Sequence, residues 1–108
     1  MKRIVGVLLA VLVSTTAVAQ QGTAELRGKV MDQQSAVLPG VTVVVRHQES
    51  GLFRDAVTAA DGSFLMSGMT PGVYEVSAEL TGFKKYSQRD VRLEVGRTTP
   101  VELKLEVG

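Results

Sequence analysis

The sequence predicts an all-β fold in which seven short strands form two packed antiparallel sheets. From Gln20 onward, apolar and polar residues alternate with a period of two, which is typical of strands buried on one face. Glycine and proline divide this part of the chain into pieces of about ten residues, the spacing expected for the turns of a β-sandwich. No stretch after Gln20 shows the i, i+3, i+4, i+7 pattern of an amphipathic helix.

The alternation also predicts which residues form the core, because residues two positions apart share one face of a strand. Polar residues between them, such as Glu25, Glu75 and Lys104, are expected to face water. The predicted core face consists of Ala24, Leu26, Gly28, Val30, Val41, Val43, Val45, Tyr74, Val76, Ala78, Leu80, Val91, Leu93, Val95, Val101, Leu103, Leu105 and Val107.

The predicted strands cover 23–31, 41–47, 52–59, 63–67, 72–80, 83–95 and 98–106, of which 83–95 is expected to be bent or bulged. Asp61-Gly62 is the strongest turn signal and predicts a hairpin between the third and fourth strands. An enclosed barrel is the alternative architecture, but the chain length fits two packed sheets better. The Leu-Glu-Val-Gly sequence at 93–96 and 105–108 is interpreted as two strands with the same alternation.

The first nineteen residues have the three-part layout of a secretory signal peptide. Lys2 and Arg3 are followed by an apolar run over 4–13 and by Ala17-Val18-Ala19, small residues that suit a signal peptidase. The run is too short for a membrane span, which needs about 20 apolar residues. We therefore expect a signal peptide at 1–19, a domain at 20–108 without a membrane span, and export to the periplasm, the outer membrane or the exterior.

The composition excludes several classes of function. Without Lys2 and Arg3 the chain carries ten basic and eleven acidic residues, a net charge of −1, so it lacks the basic surface that nucleic acid requires. The absence of cysteine excludes disulfides, thiol catalysis, zinc held by thiolates and a lipid anchor on a lipobox cysteine. The stability of the domain must then come from its apolar core.

No arrangement of residues in the sequence predicts catalysis, a cofactor or a metal site. His47 is the only histidine and stands in a polar stretch that reads as a solvated loop. A triad could in principle combine it with Ser50 or Ser63 and with Asp55 or Asp61, but no nucleophile motif is present. The carboxyl group of Asp61 is expected to support its own turn by accepting backbone hydrogen bonds.

The aromatic residues offer the one candidate contact surface. Tyr74 and Phe64 fall on the core face and are assigned to packing. The remaining cluster follows Gly82 and is interpreted either as a contact for a ligand or partner, or as a turn whose phenylalanine closes the end of the sandwich above two solvated lysines. This cluster consists of Phe83, Lys84, Lys85 and Tyr86.

Five fragments in a fixed order resemble the carboxypeptidase regulatory-like domain, a transthyretin-like member of the carbohydrate-binding-like β-sandwich superfamily. Each fragment is short, but their order and spacing cover nearly all of 20–108. They are Gly28-x-Val30-x-Asp32, Leu38-Pro39-Gly40-Val41-x-Val43, Thr58-x-x-Asp61-Gly62-x-Phe64, Pro71-Gly72-x-Tyr74-x-Val76 and Gly82-Phe83.

The resemblance implies a prealbumin-like, Greek-key sandwich without an active site. Such domains stand at the N-terminus of TonB-dependent outer-membrane receptors, beside metallocarboxypeptidases and in adhesins. It therefore implies docking on neighbouring domains or other envelope proteins, with glycan binding or regulation of a metallocarboxypeptidase as alternatives. We expect either a fragment of a larger receptor or a small free-standing exported protein. The chain has no asparagine, which excludes the Lys–Asn isopeptide bond of related adhesin domains.

The assignment of faces can be tested with two substitutions. Val76→Asp should unfold the domain, because an unpaired buried charge costs several kcal/mol out of a total stability of about 5–15 kcal/mol. Lys104→Glu, on the opposite face, should change the free energy of unfolding by less than about 0.5 kcal/mol. Urea titrations of both variants measure the difference, and equal effects would show that the faces are misassigned.

Overall fold

The computed structural model describes Ala10 and residues 22–108, and apart from Ala10 the predicted signal peptide at 1–19 lies outside the described residues. The described residues contain seven strands and no helix. The strand boundaries lie within about three residues of the predicted ones. The strands are β1 (Ala24–Asp32), β2 (Thr42–His47), β3 (Phe53–Val57), β4 (Ser63–Met69), β5 (Gly72–Glu79), β6 (Tyr86–Leu93) and β7 (Thr98–Leu105).

The strands form two sheets, which confirms the predicted all-β sandwich. The smaller sheet has the order β4-β1-β7 and the larger one the order β3-β2-β5-β6. One pairing departs from the antiparallel expectation, since β1 and β7 run parallel, with Gly28 opposite Val101. After the β2–β3 hairpin the chain visits the other sheet as β4 and returns as β5 beside β2.

The core lies between the sheets and consists almost entirely of the predicted residues. Val43, Val45 and Val76, on adjacent strands, have no solvent exposure. Three predicted core residues are exceptions: Leu80, directly after β5, is only half-buried, and Val95 and Val107 are 59% and 74% exposed. All three lie beyond the last residue of a strand, β5, β6 or β7, so the alternation that assigned them to the core no longer applies.

The hairpin predicted at Asp61-Gly62 is wrong, although the turn itself forms. The Ala59 N–H donates to the Ser63 carbonyl at 2.9 Å, which closes the turn. The strands on either side then separate, because β3 pairs with β2 and β4 pairs with β1. The Val30 N–H of β1 donates to the Gly62 carbonyl at 2.8 Å and draws the chain into the smaller sheet.

The bend predicted within 83–95 is a bulge in β6. Tyr74 lies opposite Val91 and Val76 opposite Gln88, so β6 has one more residue than β5 over this interval. Asp90 takes a positive φ of 61° there. Its N–H donates to the Gln48 side-chain oxygen at 2.7 Å, which satisfies a donor that the bulge removes from the ladder.

A glycine in the middle of β1 makes room for the largest aromatic contact of the smaller sheet. Gly28 lies opposite Phe64 of β4. A Cβ atom on Gly28 would stand 2.1 Å from the Phe64 ring, so the ring lies directly over the glycine backbone. Phe64 is buried as a result, and Gly28 occupies the core face where the alternation placed it.

Gly28→Ala should therefore destabilise the domain by about 1–3 kcal/mol, because the ring must move into a packed core. Chemical denaturation measures the loss. Lys29→Ala, at the next position and exposed, should change stability by less than about 0.5 kcal/mol. The double variant Gly28→Ala with Phe64→Leu should lose less than the sum of its parts; strict additivity would show that the ring does not cause the effect.

Candidate functional site

The candidate contact cluster 83–86 lies between β5 and β6 and joins the C-terminal end of β7. The Lys84 N–H donates to the Glu106 carbonyl at 2.7 Å, and Phe83 forms an antiparallel bridge with Val107. Phe83 and Tyr86 are half-buried against the core. Phe83 thus closes one end of the sandwich, which agrees with the structural interpretation of the cluster.

The two lysines of this cluster face water and pair with acidic residues. Lys84 lies 3.7 Å from the Glu106 carboxylate and Lys85 lies 3.5 Å from that of Glu79. Exposed pairs of this kind contribute little to stability. Lys84, Lys85 and Tyr86 line one surface groove of about 340 Å³ together with Lys104 and Glu106, whereas Phe83 is not among its lining residues. A contact role for Phe83, Lys84, Lys85 and Tyr86 stays a prediction.

His47 is the last residue of β2 and is half-buried, so the prediction of a solvated loop histidine is wrong. Its ring meets the Tyr74 ring edge-on at a centroid distance of 5.1 Å. The Ser50 N–H donates to the His47 Nδ1 at 3.1 Å, and the Ser50 hydroxyl lies 3.0 Å from the same atom. A Cβ on Gly72 would stand 2.5 Å from the other ring nitrogen, Nε2, so the backbone packs where a triad carboxylate would be.

Of the two acidic residues considered for a triad, Asp55 lies within β3 and Asp61 serves its own turn. The Asp61 carboxylate accepts hydrogen bonds from the Ser63 hydroxyl at 2.6 Å and from the Ser63 N–H at 3.0 Å, as predicted for a self-supporting turn. These bonds hold the pKa of the Asp61 carboxyl below its usual value. The Asp32 carboxylate accepts the N–H groups of Gln34 and Ala36 in the same way.

Neither a metal cluster nor a membrane span is found in the part of the chain that the structure describes. Among these residues no three histidine or acidic side chains lie close enough together to hold an ion. The same residues contain no helix of the length and apolar character needed to cross a bilayer.

The side of the sandwich between β3 and β4, here called the β3–β4 margin, carries several of the exposed large apolar side chains. Phe53 is 58% exposed, Val57 64% and Leu65 53%. The Arg54 guanidinium spans the margin, and its Nη1 donates to the Ser67 carbonyl at 2.6 Å and to the Met69 sulfur at 3.1 Å. Exposed apolar residues that cluster in this way are typical of interaction surfaces.

Two grooves lie along this margin. The first has a volume of about 500 Å³ and is lined by the rings of His47 and Tyr74, by Leu52 and Met69, and by Arg54. No carboxylate is among its lining residues. The second has a volume of about 580 Å³ and lies between Ala56 and Val57 of β3 and Phe64 and Leu65 of β4. Both are apolar grooves without a catalytic arrangement.

Sequence reasoning missed this margin. It assigned 52–59 to a strand but did not assign its faces, since Phe-Arg-Asp-Ala-Val at 53–57 alternates poorly. That weak alternation was the available signal, because a strand with no buried face is typical of the edge of a sheet. The structure shows that β3 has no buried residue.

The carboxypeptidase regulatory-like domain model matches residues 25–106, which is most of the chain. The chain belongs to this family. The resemblance noted in the sequence is thereby confirmed, and the match spans all seven strands of the sandwich except the first residue of β1. A search of curated protein sequences finds no match to this chain.

Solved structures share the fold of this regulatory-like domain at low identity. The Bacillus anthracis TIE protein is 19% identical with a TM-score of 0.68, covering 80% of this chain and 17% of its own. Hydroxyquinol 1,2-dioxygenase from Pseudomonas putida is 10% identical with a TM-score of 0.65, and the match covers 85% of this chain and 59% of the dioxygenase. A candidate carbohydrate-binding protein from Bacteroides uniformis is 17% identical with a TM-score of 0.63, and the match covers 76% of this chain and 40% of that protein.

This chain therefore spans between about a sixth and three fifths of the solved proteins that it resembles. At these identities the likeness establishes the fold alone. The names of the three proteins indicate different functions, which agrees with the general observation that one β-sandwich fold carries many activities.

The family fragments of this regulatory-like domain hold its loops in place. Thr58 is buried, and its hydroxyl accepts the Val41 N–H at 2.9 Å and donates to the Leu38 carbonyl at 2.7 Å. The Tyr74 hydroxyl donates to the Thr70 carbonyl at 2.5 Å and fixes the turn before β5. These residues have structural partners in the domain, which explains their place in the fragments.

Tyr74 also makes stability depend on pH. Burial raises the pKa of its hydroxyl above the ordinary value. Because the unfolded chain then loses the proton first, stability is retained below about pH 10 and falls as the pH rises above that value. The midpoint urea concentration, measured between pH 8 and 11, should stay constant up to about pH 10 and decrease above it. Tyr74→Phe should lose about 1 kcal/mol at pH 8 and show a weaker decline above pH 10; an unchanged decline would exclude Tyr74 as its cause.

Proposed function

We propose that the chain is an exported, non-catalytic module that acts by docking on protein. In this proposal the chain serves as the N-terminal accessory domain of a TonB-dependent outer-membrane transporter or of a similar surface protein. The signal-peptide layout of 1–19 supports export, and membership of the regulatory-like family supports an accessory role. The transporter setting rests on the resemblance of the five sequence fragments to such N-terminal domains.

The exposed apolar β3–β4 margin is the observation that carries the docking role. It places Phe53, Val57 and Leu65 in solvent on a domain whose other apolar residues are mostly buried. The grooves beside them contain no carboxylate pair and no base oriented by a carboxylate, which catalysis of hydrolysis would need. Surfaces of this kind bind by shape and apolar contact.

Glycan binding is the competing function, and the superfamily resemblance and the Bacteroides uniformis neighbour favour it. Sugar rings stack on exposed aromatic faces, and Phe53 is the most exposed ring among the described residues. The Arg46 guanidinium lies over that ring, 5.1 Å from its centroid. Since one ring face is already covered, Phe53 is less suited to stacking on a sugar than to packing in a protein contact.

Three measurements test the proposal, two on the exported chain and one on its gene. N-terminal sequencing of the protein from the periplasm should begin at Gln20. Calorimetry against a panel of polysaccharides should detect no heat of binding, because Arg46 covers one face of Phe53, the most exposed ring among the described residues. The DNA that follows the Gly108 codon should encode a plug-like sequence.

The calorimetry is repeated with three variants that each remove one aromatic ring: Phe83→Ala, Tyr86→Ala and Phe53→Ser. Polysaccharide binding that any one of them abolishes would establish a glycan module and overturn the docking role. Retention of the chain in the cytoplasm with residues 1–19 intact would overturn export.

A further inference from the structure

We infer that β3 is an open sheet edge that accepts one extended strand from another polypeptide, with a basic side chain opposite Asp55 and apolar side chains opposite Phe53 and Val57. This inference rests on the proposed docking function and names the surface and the kind of partner. It follows from a comparison of the four sheet edges, from the free backbone groups of β3 and from the charge at its centre.

Three of the four edges carry features that block strand addition. The β7 edge contains Pro100, which has no N–H to donate. The β6 edge is interrupted by the bulge at Asp90. The β4 edge is bulged opposite the step from Ala24 to Leu26, and its Ser67 carbonyl is already bonded to Arg54. Natural sheets use bulges and prolines to prevent pairing at their edges.

The β3 edge has none of these features. Its five residues contain no proline, lysine or glycine, and they pair with β2 without a register shift. Phe53 and Val57 are exposed on its outer face. A regular edge without proline, glycine or a bulge is one on which a further strand can form a continuous ladder.

Three residues of β3 have backbone N–H and C=O groups available for such a ladder. The His47 N–H donates to the Leu52 carbonyl, and the Thr58 N–H donates to the Val41 carbonyl. Hydrogen-bonded pairs alternate along an antiparallel ladder, so 52, 54, 56 and 58 bond to β2. The N–H and C=O groups of Phe53, Asp55 and Val57 therefore point away from β2 towards the open side.

The side chains on this edge define the partner. Phe53, Asp55 and Val57 share the outer face, and an incoming strand places alternate residues beside them. Asp55 has no ion pair with any residue that the structure describes, so a basic residue opposite it gains a charge partner. On the inner face Arg54 favours an acidic residue, and the groove beside Ala56 and Leu65 favours an apolar one.

A second copy of the chain fits this edge poorly. Symmetric antiparallel pairing of two β3 strands uses all three residues only when Asp55 lies opposite Asp55 of the second copy. Two carboxylates would then face each other across about 5.5 Å of backbone separation, which is unfavourable. The register centred on Arg54 places two guanidinium groups together, and the register centred on Ala56 uses only Asp55 and Val57 and leaves Asp55 opposite an apolar residue. The charge pattern therefore favours a different polypeptide.

The test uses the purified chain and the peptide acetyl-Thr-Val-Leu-Lys-Glu-Val-Thr-amide, whose lysine falls opposite Asp55 in antiparallel register. Binding is followed by the backbone amide NMR shifts of the protein. Shifts should concentrate at Phe53, Asp55 and Val57. N-methylation of the peptide at its lysine removes a hydrogen bond to β3 and should weaken binding by about tenfold. N-methylation at its leucine, whose N–H points away, should leave binding unchanged.

Asp55→Lys supplies the complementary test on the protein. It should weaken binding of the lysine peptide and strengthen binding of the peptide with glutamate in place of that lysine, by about threefold in each direction. Val57→Pro removes an outward N–H without breaking a bond to β2 and should abolish binding. Asp90→Lys, on the β6 edge, is the matched control and should have no effect.

The inference is wrong if the two N-methylated peptides bind equally, if the shifts map to β4, β6 or β7, or if no peptide binds at millimolar concentration. Dimerisation of the unmodified chain in sedimentation experiments, lost in Val57→Pro, would replace the partner by a second copy and also overturn it. None of these outcomes affects the two tests of the proposed function on the exported chain, which are cleavage before Gln20 and calorimetry against polysaccharides. Failure of the edge and failure of the docking function are thus distinguishable.

Discussion

Contact between the two apolar sheet faces is the interaction on which this domain depends, because the chain has no cysteine for a disulfide. Every strand except β3 contributes at least two buried residues to that contact. Small domains have little apolar area to spare, so close packing matters. Gly28 illustrates this, since the Phe64 ring occupies the space where its Cβ would be. An added carbon there would displace the Phe64 ring from its place in the core.

The separation of β3 from the core gives the domain a surface that it can use without loss of stability. β3 is held by its ladder with β2 and by the bonds of Arg54 to β4. Its outer face carries Phe53 and Val57 in solvent at no cost to the packing of the other strands. A strand that is not part of the core can exchange solvent for a partner while the sandwich stays unchanged.

The sequence predicted the strands and the core well because both depend on local alternation. Val43 and Val76 lie where the period of two placed them, and the bulge at Asp90 lies in the segment expected to bend. The Asp61-Gly62 hairpin was wrong because turn residues determine a reversal of the chain but not which strands pair afterwards. Val95 and Val107 were misassigned because the alternation of residue types continues past the last residue of a strand. The parallel β1–β7 pair joins strands that are far apart in sequence, so no local pattern reports it.

The candidate surface was the least predictable feature for the same reason. Whether Phe53 is a core or an edge residue depends on its neighbour across the sheet, and that neighbour is set by the whole topology. The cluster 83–86 had the stronger sequence signal, with two rings and two lysines together, yet its backbone is bonded to the end of β7. On β3 the residues are ordinary and the backbone is unbonded on one side. Because backbone groups carry strand addition, a composition-based search does not find the β3 edge, and only the topology distinguishes a closed edge from an open one.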